Sequence, residues 1–165
     1  DEAFFTNLTG PVHALAITED WCGDAINNLP ILGRLAALSP ALELRVFLRD
    51  QNPDLINLYL KEGKYQSIPV FAFFDADFKP IGHWIERPAS ISAKQEAALD
   101  ELFANDPAFE GVARDASMAT LPDAARDRII RFFGEFRATV RAESDREVVR
   151  ELRELIAGTT RQAGN

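Results

Sequence analysis

Short runs of apolar, β-prone residues alternate with helical segments in the part of the chain that precedes Arg87. Short apolar runs bounded by turn residues are typical of strands, whereas apolar positions that recur every three or four residues are typical of helices. The pattern predicts a long helix from about Gly23 to Leu38. It also predicts four strands, at Val12–Thr18, Leu42–Leu48, Val70–Phe74 and Pro80–Ile85.

A second helix is predicted after Asn52, which is a suitable N-cap because Pro53 then takes the first helical position. Gly63 lies where a left-handed C-terminal cap would end this helix. Between the last two strands, the segment Asp-Ala-Asp-Phe at 75–78 has the composition of a hairpin turn. The predicted order before Arg87 is therefore β-α-β-α-β-β.

Beyond Arg87 the strand pattern stops and three amphipathic helical patterns follow. Each begins at a residue suited to capping a helix N-terminus, namely Ser92, Thr120 and Ser144. Their apolar positions recur at helical spacing: Leu99, Leu102 and Phe103 in the first, Ala125, Ile129, Phe132, Phe133, Phe136 and Val140 in the second, and Val148, Val149, Leu152, Leu155 and Ile156 in the third. The last two patterns predict a helical hairpin, and we interpret the apolar stripes as buried faces.

The change of pattern also predicts the domain organisation. A chain of 165 residues is long enough for one domain with an appendage. We expect a domain at 1–105 and a C-terminal helical extension at 106–165, packed on or beside it.

The composition is that of a globular protein, with 47% hydrophobic and 27% charged residues. A formal net charge of −8 opposes binding to nucleic-acid phosphates, which normally requires clustered Lys and Arg. No apolar run approaches the roughly 20 residues that span a bilayer, so we expect no membrane segment. A single cysteine excludes an internal disulfide and favours a reducing compartment. We therefore expect a cytoplasmic protein, although a segment could precede Asp1.

Cys22 follows the first predicted strand directly, in the segment Trp-Cys-Gly-Asp-Ala at 21–25 that opens the long helix. Unpaired N–H groups and the positive end of the helix dipole favour a thiolate there, and the thiolate is the nucleophile of thiol–disulfide exchange. Glu19, Asp20 and Asp24 oppose this effect, because negative charges nearby disfavour another anion. We expect a moderately reactive thiol, and the alternative is a small buried apolar residue.

Several fixed offsets in this region resemble the active site of the thioredoxin family. Trp21, Cys22 and Gly23 match the family pattern Trp-Cys-Gly-Pro-Cys, and Pro30 matches its helix-kinking proline. The segment Ser-Ile-Pro at 67–69 resembles the family's cis-proline loop. The resemblance spans roughly half of the chain, and the pattern is similar to that of bacterial thioredoxin-like proteins without the second cysteine.

This resemblance implies a thioredoxin-like α/β fold: a four-stranded mixed sheet in the order 2-1-3-4, flanked by helices and followed by the C-terminal helical extension. It implies that Cys22 is the catalytic nucleophile and that a cis Pro69 faces it. The backbone of Ile68 would then pair with an extended substrate segment. The residues that the resemblance assigns to substrate binding are Trp21, Gly23, Asp24, Ile68 and Pro69.

Three residues depart from the family pattern. Ala25 stands at the second cysteine, Ala16 stands at the buried aspartate that assists proton transfer in thioredoxins, and Asp24 replaces the proline. A dithiol cycle therefore cannot run within this chain. A mixed disulfide at Cys22 would need an external thiol, as in monothiol proteins of the glutaredoxin type, although the sequence carries no recognisable glutathione-binding signature.

The sequence predicts neither a metal site nor a cofactor. His13 and His83 lie on separate predicted strands and have no metal-ligand spacing to Cys22, so we interpret both as structural or surface residues. No glycine-rich phosphate loop follows a predicted strand.

Two functions remain open on this sequence. In the first, the chain is a monothiol oxidoreductase whose Cys22 attacks a protein or low-molecular-weight disulfide. In the second, it is a non-catalytic binding module that keeps a peptide groove near Pro69. The C-terminal helices are a candidate surface for partner contact or homodimerisation.

Overall fold

The computed structural model describes residues 2–160, which contain four β-strands and five α-helices. The strands are β1 (Val12–Thr18), β2 (Leu42–Leu48), β3 (Val70–Phe74) and β4 (Pro80–Ile85). The helices are α1 (Glu2–Thr6), α2 (Gly23–Leu38), α3 (Pro53–Ile56), α4 (Ala89–Asn105) and α5 (Asp123–Thr160). The four predicted strands and the first long helix are confirmed at their predicted bounds.

The strands form one mixed sheet in the order β2-β1-β3-β4. β1 is parallel to β2 and antiparallel to β3, and β3 is antiparallel to β4. Parallel neighbours require a long crossover, which contains α2, whereas the short turn at 75–78 is enough to join the antiparallel strands β3 and β4. The predicted fold class and sheet order are confirmed.

The second predicted helix is wrong beyond its first turn. α3 ends at Ile56, and a 3-10 turn at Asn57–Tyr59 follows it. Gly63 has a positive φ of 67°, but it lies in a tight turn between Lys61 and Tyr65, which form an isolated β-bridge. A left-handed glycine serves a reverse turn as well as a helix cap, so its presence alone does not mark the end of a helix.

The chain divides into two compact units. The first comprises Asp1–Pro88 together with the chain from Asp145 onward, and the second comprises Ala89–Ser144. The domain boundary expected between residues 105 and 106 stays a prediction.

The first unit has apolar clusters on both faces of the sheet. The larger cluster includes Ala16 of β1, Leu32 of α2 and Leu152 of α5. The smaller cluster includes Ile17, and Cys22 packs against it. Because successive residues of a strand point to opposite faces, Ala16 and Ile17 place these two clusters on opposite sides of β1.

α5 is one helix of 38 residues, so the helical hairpin predicted from Ser144 is wrong. The nearest helix-breaking residues are Gly134 and Gly158, and the intervening Arg, Glu and Ala residues favour continuation of the helix. Neither α5 nor another described helix is apolar over a stretch long enough to cross a membrane.

The interruption in the apolar pattern of α5 marks a change of core. Ala125, Ile129 and Phe132 pack in the second unit with residues such as Leu99 and Phe109. The predicted third stripe packs in the first unit, where its fully or nearly fully buried members are Val148, Leu152 and Ile156. The apolar stripes are therefore buried, as predicted, but on a single helix.

Candidate functional site

Cys22 is the N-cap residue of α2. Its carbonyl oxygen accepts the first helical hydrogen bond, from the N–H of Ile26 at 2.9 Å, and its side chain is half-buried and forms no disulfide. The first N–H groups of a helix have no acceptor within the helix, so the positive end of α2 lies at Cys22. The sulfur of Cys22 therefore lies beside unpaired backbone N–H groups.

The loop before β3 lies beside this thiol. The Ile68–Pro69 peptide is cis, and Cys22 Sγ donates a hydrogen bond to the carbonyl oxygen of Ile68 at 3.4 Å. Ile68 and Pro69 are both buried. The fold thus brings together three of the predicted site residues across 46 positions of sequence.

Arg87 holds Asp24 at the start of α2. Arg87 Nη2 donates to Asp24 Oδ2 at 2.5 Å, and the two side chains are only 12% and 13% exposed. Burial is the largest single influence and lowers the pKa of Arg87. The hydrogen bond and charge of Asp24, together with the charges of Glu86 and Cys22, outweigh burial, so the pKa of Arg87 is raised. Asp24 is therefore compensated, so it opposes a thiolate at Cys22 much less than an unpaired carboxylate would.

Several polar contacts fix the turn that carries Arg87. Glu86 has a positive φ of 70°, and its N–H donates to the carbonyl oxygen of Pro69 at 2.7 Å. Its carbonyl oxygen accepts from Asn28 Nδ2 at 2.9 Å, and its carboxylate accepts from Lys61 Nζ at 2.5 Å. Arg87 is not among the residues that the sequence predicts for the site. The signal that could have found it is the β3–β4 hairpin, since antiparallel pairing carries residue 86 opposite Pro69.

The two alanines that depart from the family pattern are buried. Ala25 lies on the first turn of α2, and Ala16 lies in the larger core cluster. Ala25 offers no thiol to attack a disulfide at Cys22, and Ala16 offers no carboxylate to move a proton. Since the sequence contains one cysteine, an internal resolving thiol is excluded.

The remaining predicted binding residues differ in accessibility. Trp21 is 58% exposed, with the guanidinium of Arg49 lying 4.8 Å from the centre of its ring. Gly23 is the first residue of α2. Asp24, in contrast, directs its carboxylate to Arg87, so a substrate would compete with that ion pair for it.

The two histidines take part in other contacts. His13 stacks on Phe78 with ring centres 4.2 Å apart, and His83 meets Tyr59 edge-on at 5.4 Å. His13 also lines a cavity of about 410 Å³, and Cys22 is not among the residues of its wall. Within residues 2–160, no group of three or more His, Cys, Asp or Glu side chains is placed to hold a metal ion.

A helix-capping cysteine beside a cis-proline loop, on a β2-β1-β3-β4 sheet, defines a thioredoxin-like protein. Residues 1–99 match the sequence profile described as thioredoxin. This match covers more than half of the chain, so the chain belongs to the thioredoxin family, and the resemblance seen in the sequence is confirmed.

Solved structures are similar over part of the chain. A protein of unknown function from Pseudomonas aeruginosa has a TM-score of 0.52 and 25% identity, over 64% of this chain and 63% of that chain. An HIV epitope scaffold has a TM-score of 0.49 and 24% identity, over 55% of this chain and 54% of that chain. Fasciola hepatica thioredoxin has a TM-score of 0.40 and 22% identity, over 56% of this chain and 81% of that chain. This chain thus spans less than two thirds of the first two structures, and no curated protein matches it.

Proposed function

We propose that the chain is a thiol–disulfide oxidoreductase that acts through Cys22 alone. The observation that carries the proposal is the 3.4 Å contact between Cys22 Sγ and the carbonyl oxygen of Ile68, next to the cis Pro69. An extended peptide gains main-chain hydrogen bonds when it pairs with the backbone of a strand or of the loop that enters it. A substrate that takes the place of Cys22 Sγ as the hydrogen-bond donor to the carbonyl oxygen of Ile68 would bring its own sulfur to Cys22.

The exchange runs in two displacements. The Cys22 thiolate attacks one sulfur of a substrate disulfide, forms a mixed disulfide with it, and releases the other sulfur as a thiolate that takes up a proton. An external thiolate then attacks the substrate sulfur of the mixed disulfide. The external thiol and the substrate leave joined by a disulfide, and Cys22 is regenerated as a thiolate.

Two features of the site support a substrate class. Trp21, the residue before Cys22, offers an exposed aromatic surface, and the backbone of Ile68 contacts the thiol. We propose a protein or low-molecular-weight disulfide as the substrate, with a small thiol of the glutathione type as the resolving agent.

A binding module without redox activity is the second candidate. The observation in its favour is that Ala25 and Ala16 replace both groups that complete the dithiol cycle in the family. Such a module would use the same surface at Trp21 and the loop of Ile68 and Pro69 to hold a peptide.

Reaction with glutathione disulfide separates these two candidates. The oxidoreductase forms an adduct of one glutathione per chain, detected by intact mass, and added glutathione removes it. Cys22→Ser is the control and forms no adduct. If Cys22 of the folded chain reacts no faster than free cysteine under the same conditions, the binding module is the function to keep.

Restoring the second thiol is a further test of the oxidoreductase. Ala25→Cys places a thiol three residues after Cys22, on the first turn of α2, so insulin reduction with dithiothreitol as the electron source should rise at least about tenfold over the wild type. Ala25→Ser is the matched control, because it adds a polar atom without a thiol and should leave the rate unchanged. Equal rates for the two variants would contradict the proposed geometry.

A further inference from the structure

We propose that β2 is the interface of a symmetric dimer, in which the β2 strands of two copies pair antiparallel and extend the sheet. The proposal is independent of the redox site. β2 lies at one edge of the sheet and pairs with β1 without a register shift from Leu42 to Leu48. A long, regular edge strand is a template for pairing with another strand.

The two edges of the sheet differ in their protection. β4 begins with Pro80, which has no N–H to donate, and its pairing with β3 is irregular near Phe73. β2 contains neither proline nor lysine. Its outer apolar residues are exposed, with Val46 at 50% and Leu48 at 39%. The β2 edge is therefore the one suited to association.

Backbone groups of β2 point to the free edge at alternate residues. The carbonyl oxygen of Ala41 accepts from the N–H of Val12 at 2.8 Å, so the backbone of Ala41 faces β1. Alternation along the strand then directs the N–H and C=O groups of Leu44 and Val46 away from β1. These two residues can exchange hydrogen bonds with a second copy.

The charges of β2 favour one register over its two immediate neighbours. Glu43 and Arg45 lie on the same face of the strand, and Arg45 Nη2 donates to Glu43 Oε1 at 2.6 Å within one copy. If Leu44 pairs with Leu44 of the second copy, each Glu43 lies opposite Arg45 of the other copy. Glu43 and the facing Arg45 then form a non-hydrogen-bonded pair, the type of strand pair in which the opposite side chains lie closest together.

Neighbouring registers are disfavoured by the same two residues. Centring the pair on Glu43 places the two glutamates opposite each other, and centring it on Arg45 places the two arginines opposite each other. Like charges in directly opposite positions destabilise strand pairing. A second copy of this chain therefore complements the β2 edge in the register centred on Leu44, with Val46 opposite Leu42 of the second copy.

Charge reversal tests this register. Analytical ultracentrifugation of the full 165-residue chain over a concentration series should show a monomer–dimer equilibrium. Arg45→Glu and Glu43→Arg should each raise the dissociation constant at least about tenfold, because each creates like-charge pairs. An equimolar mixture of the two variants should form a heterodimer, since each glutamate then faces an arginine. The double variant Glu43→Arg/Arg45→Glu is the matched control, and it should dimerise like the wild type.

Hydrogen exchange of the wild type gives a second readout that needs no variant. The amides of Leu44 and Val46 should exchange more slowly at high protein concentration, while amides of β4 should not change. A wild type that stays monomeric at every concentration overturns the proposal. A dimer that is insensitive to both charge reversals and leaves the Leu44 and Val46 amides unprotected also overturns it, and indicates another surface, such as the C-terminal helices.

Discussion

The acidic surroundings of Cys22 contain one charge that the fold neutralises. Asp24 lies two residues after the cysteine, but Arg87 pairs with it from 63 positions away. The two aspartates therefore differ in their surroundings: Asp24 lies in a largely buried ion pair, whereas Asp20 is exposed to solvent. Screening by water weakens the effect of an exposed charge, whereas a buried unpaired carboxylate would act strongly on its neighbour.

Removing Arg87 should slow the reaction of Cys22. In Arg87→Gln, Asp24 keeps its negative charge without compensation, and an unpaired negative charge disfavours a second anion beside it. We therefore expect the rate of alkylation by iodoacetamide at pH 7 to drop about three- to tenfold. The double variant Asp24→Asn/Arg87→Gln is the matched control, because it removes both charges and should recover most of the rate. An unchanged rate in Arg87→Gln would show that the ion pair is only structural.

Residues of the site were predictable from sequence when their roles depend on local spacing. Cys22 follows β1 at a fixed offset, and Pro69 precedes β3 at another, so both could be placed before the fold was known. Arg87 has no local signal of this kind: only the pairing of β3 with β4 points to its position beside Pro69, and its ion pair with Asp24 is a tertiary contact. Nothing in the local sequence distinguishes it from a solvent-exposed arginine.

At the scale of secondary structure, α5 gives the clearest test of helix continuity. In the predicted hairpin, Asp145 would be the first helical residue, where proline is well tolerated. In the observed helix it lies in the interior, where proline removes a hydrogen bond and clashes with the preceding turn. Asp145→Pro should therefore lower the free energy of unfolding by about 3 kcal/mol relative to Asp145→Ala, measured by urea denaturation. Equal stability of the two variants would contradict a continuous helix.

Asp106, at the short turn after α4, is held in its charged form by two hydrogen bonds. The hydrogen bond from the N–H of Ala108 and the one from Arg128 lower the pKa of Asp106 below its usual 3.8. A group with a lowered folded-state pKa stabilises the fold above its unfolded-state pKa, and this stabilisation is lost as pH falls through the folded value.

The carboxyl of Asp106 should accordingly titrate below pH 3.8 in an NMR titration. Arg128→Gln should move its midpoint upward, because that variant removes a favourable charge and a hydrogen bond. Arg137→Gln, on the same helix, serves as the control. A midpoint that is the same in all three proteins would argue against the Asp106–Arg128 pair.

The strands and α2 were predictable because short-range patterns determine them. The strands show alternating or continuous apolar residues, and α2 has an apolar face at helical spacing that includes Leu32 and Leu35.

The wrong predictions at α3 and α5 have one cause. Gly63 and Ser144 carry sequence signals for a helix end or start, but such signals are permissive, and packing decides whether they are used. The apolar positions of α5 change spacing near Ser144 because the helix packs in the core of the second unit before this residue and in the core of the first unit after it.

At the scale of the whole molecule, the first unit depends on the C-terminal part of α5. Val148, Leu152 and Ile156 are almost fully buried in its main core, and Trp84 Nε1 donates to Glu151 Oε2 at 2.7 Å. Loss of a single buried leucine costs about 2–5 kcal/mol, which is a large fraction of the roughly 5–15 kcal/mol that stabilises a small domain.

A chain that ends at Ser144 should therefore lose the cooperative thermal unfolding of the first unit, followed by circular dichroism and Trp84 fluorescence. A synthetic peptide of residues 145–160 should restore the transition when added in excess, and the same peptide carrying Leu152→Asp should not. A truncated chain that unfolds as cooperatively as the full chain would show that these contacts are dispensable.

The split composition of the first unit also determines the order in which the chain can fold during its synthesis. The ribosome produces Ala89–Ser144 before the residues that complete the first core. The sheet strands leave the ribosome early, but Val148, Leu152 and Ile156 follow only after the whole of Ala89–Ser144. The apolar sheet face bearing Phe71 and Phe73 therefore stays partly uncovered while the second unit is synthesised, and a nascent chain in this state is a natural client for chaperones that bind exposed apolar strands.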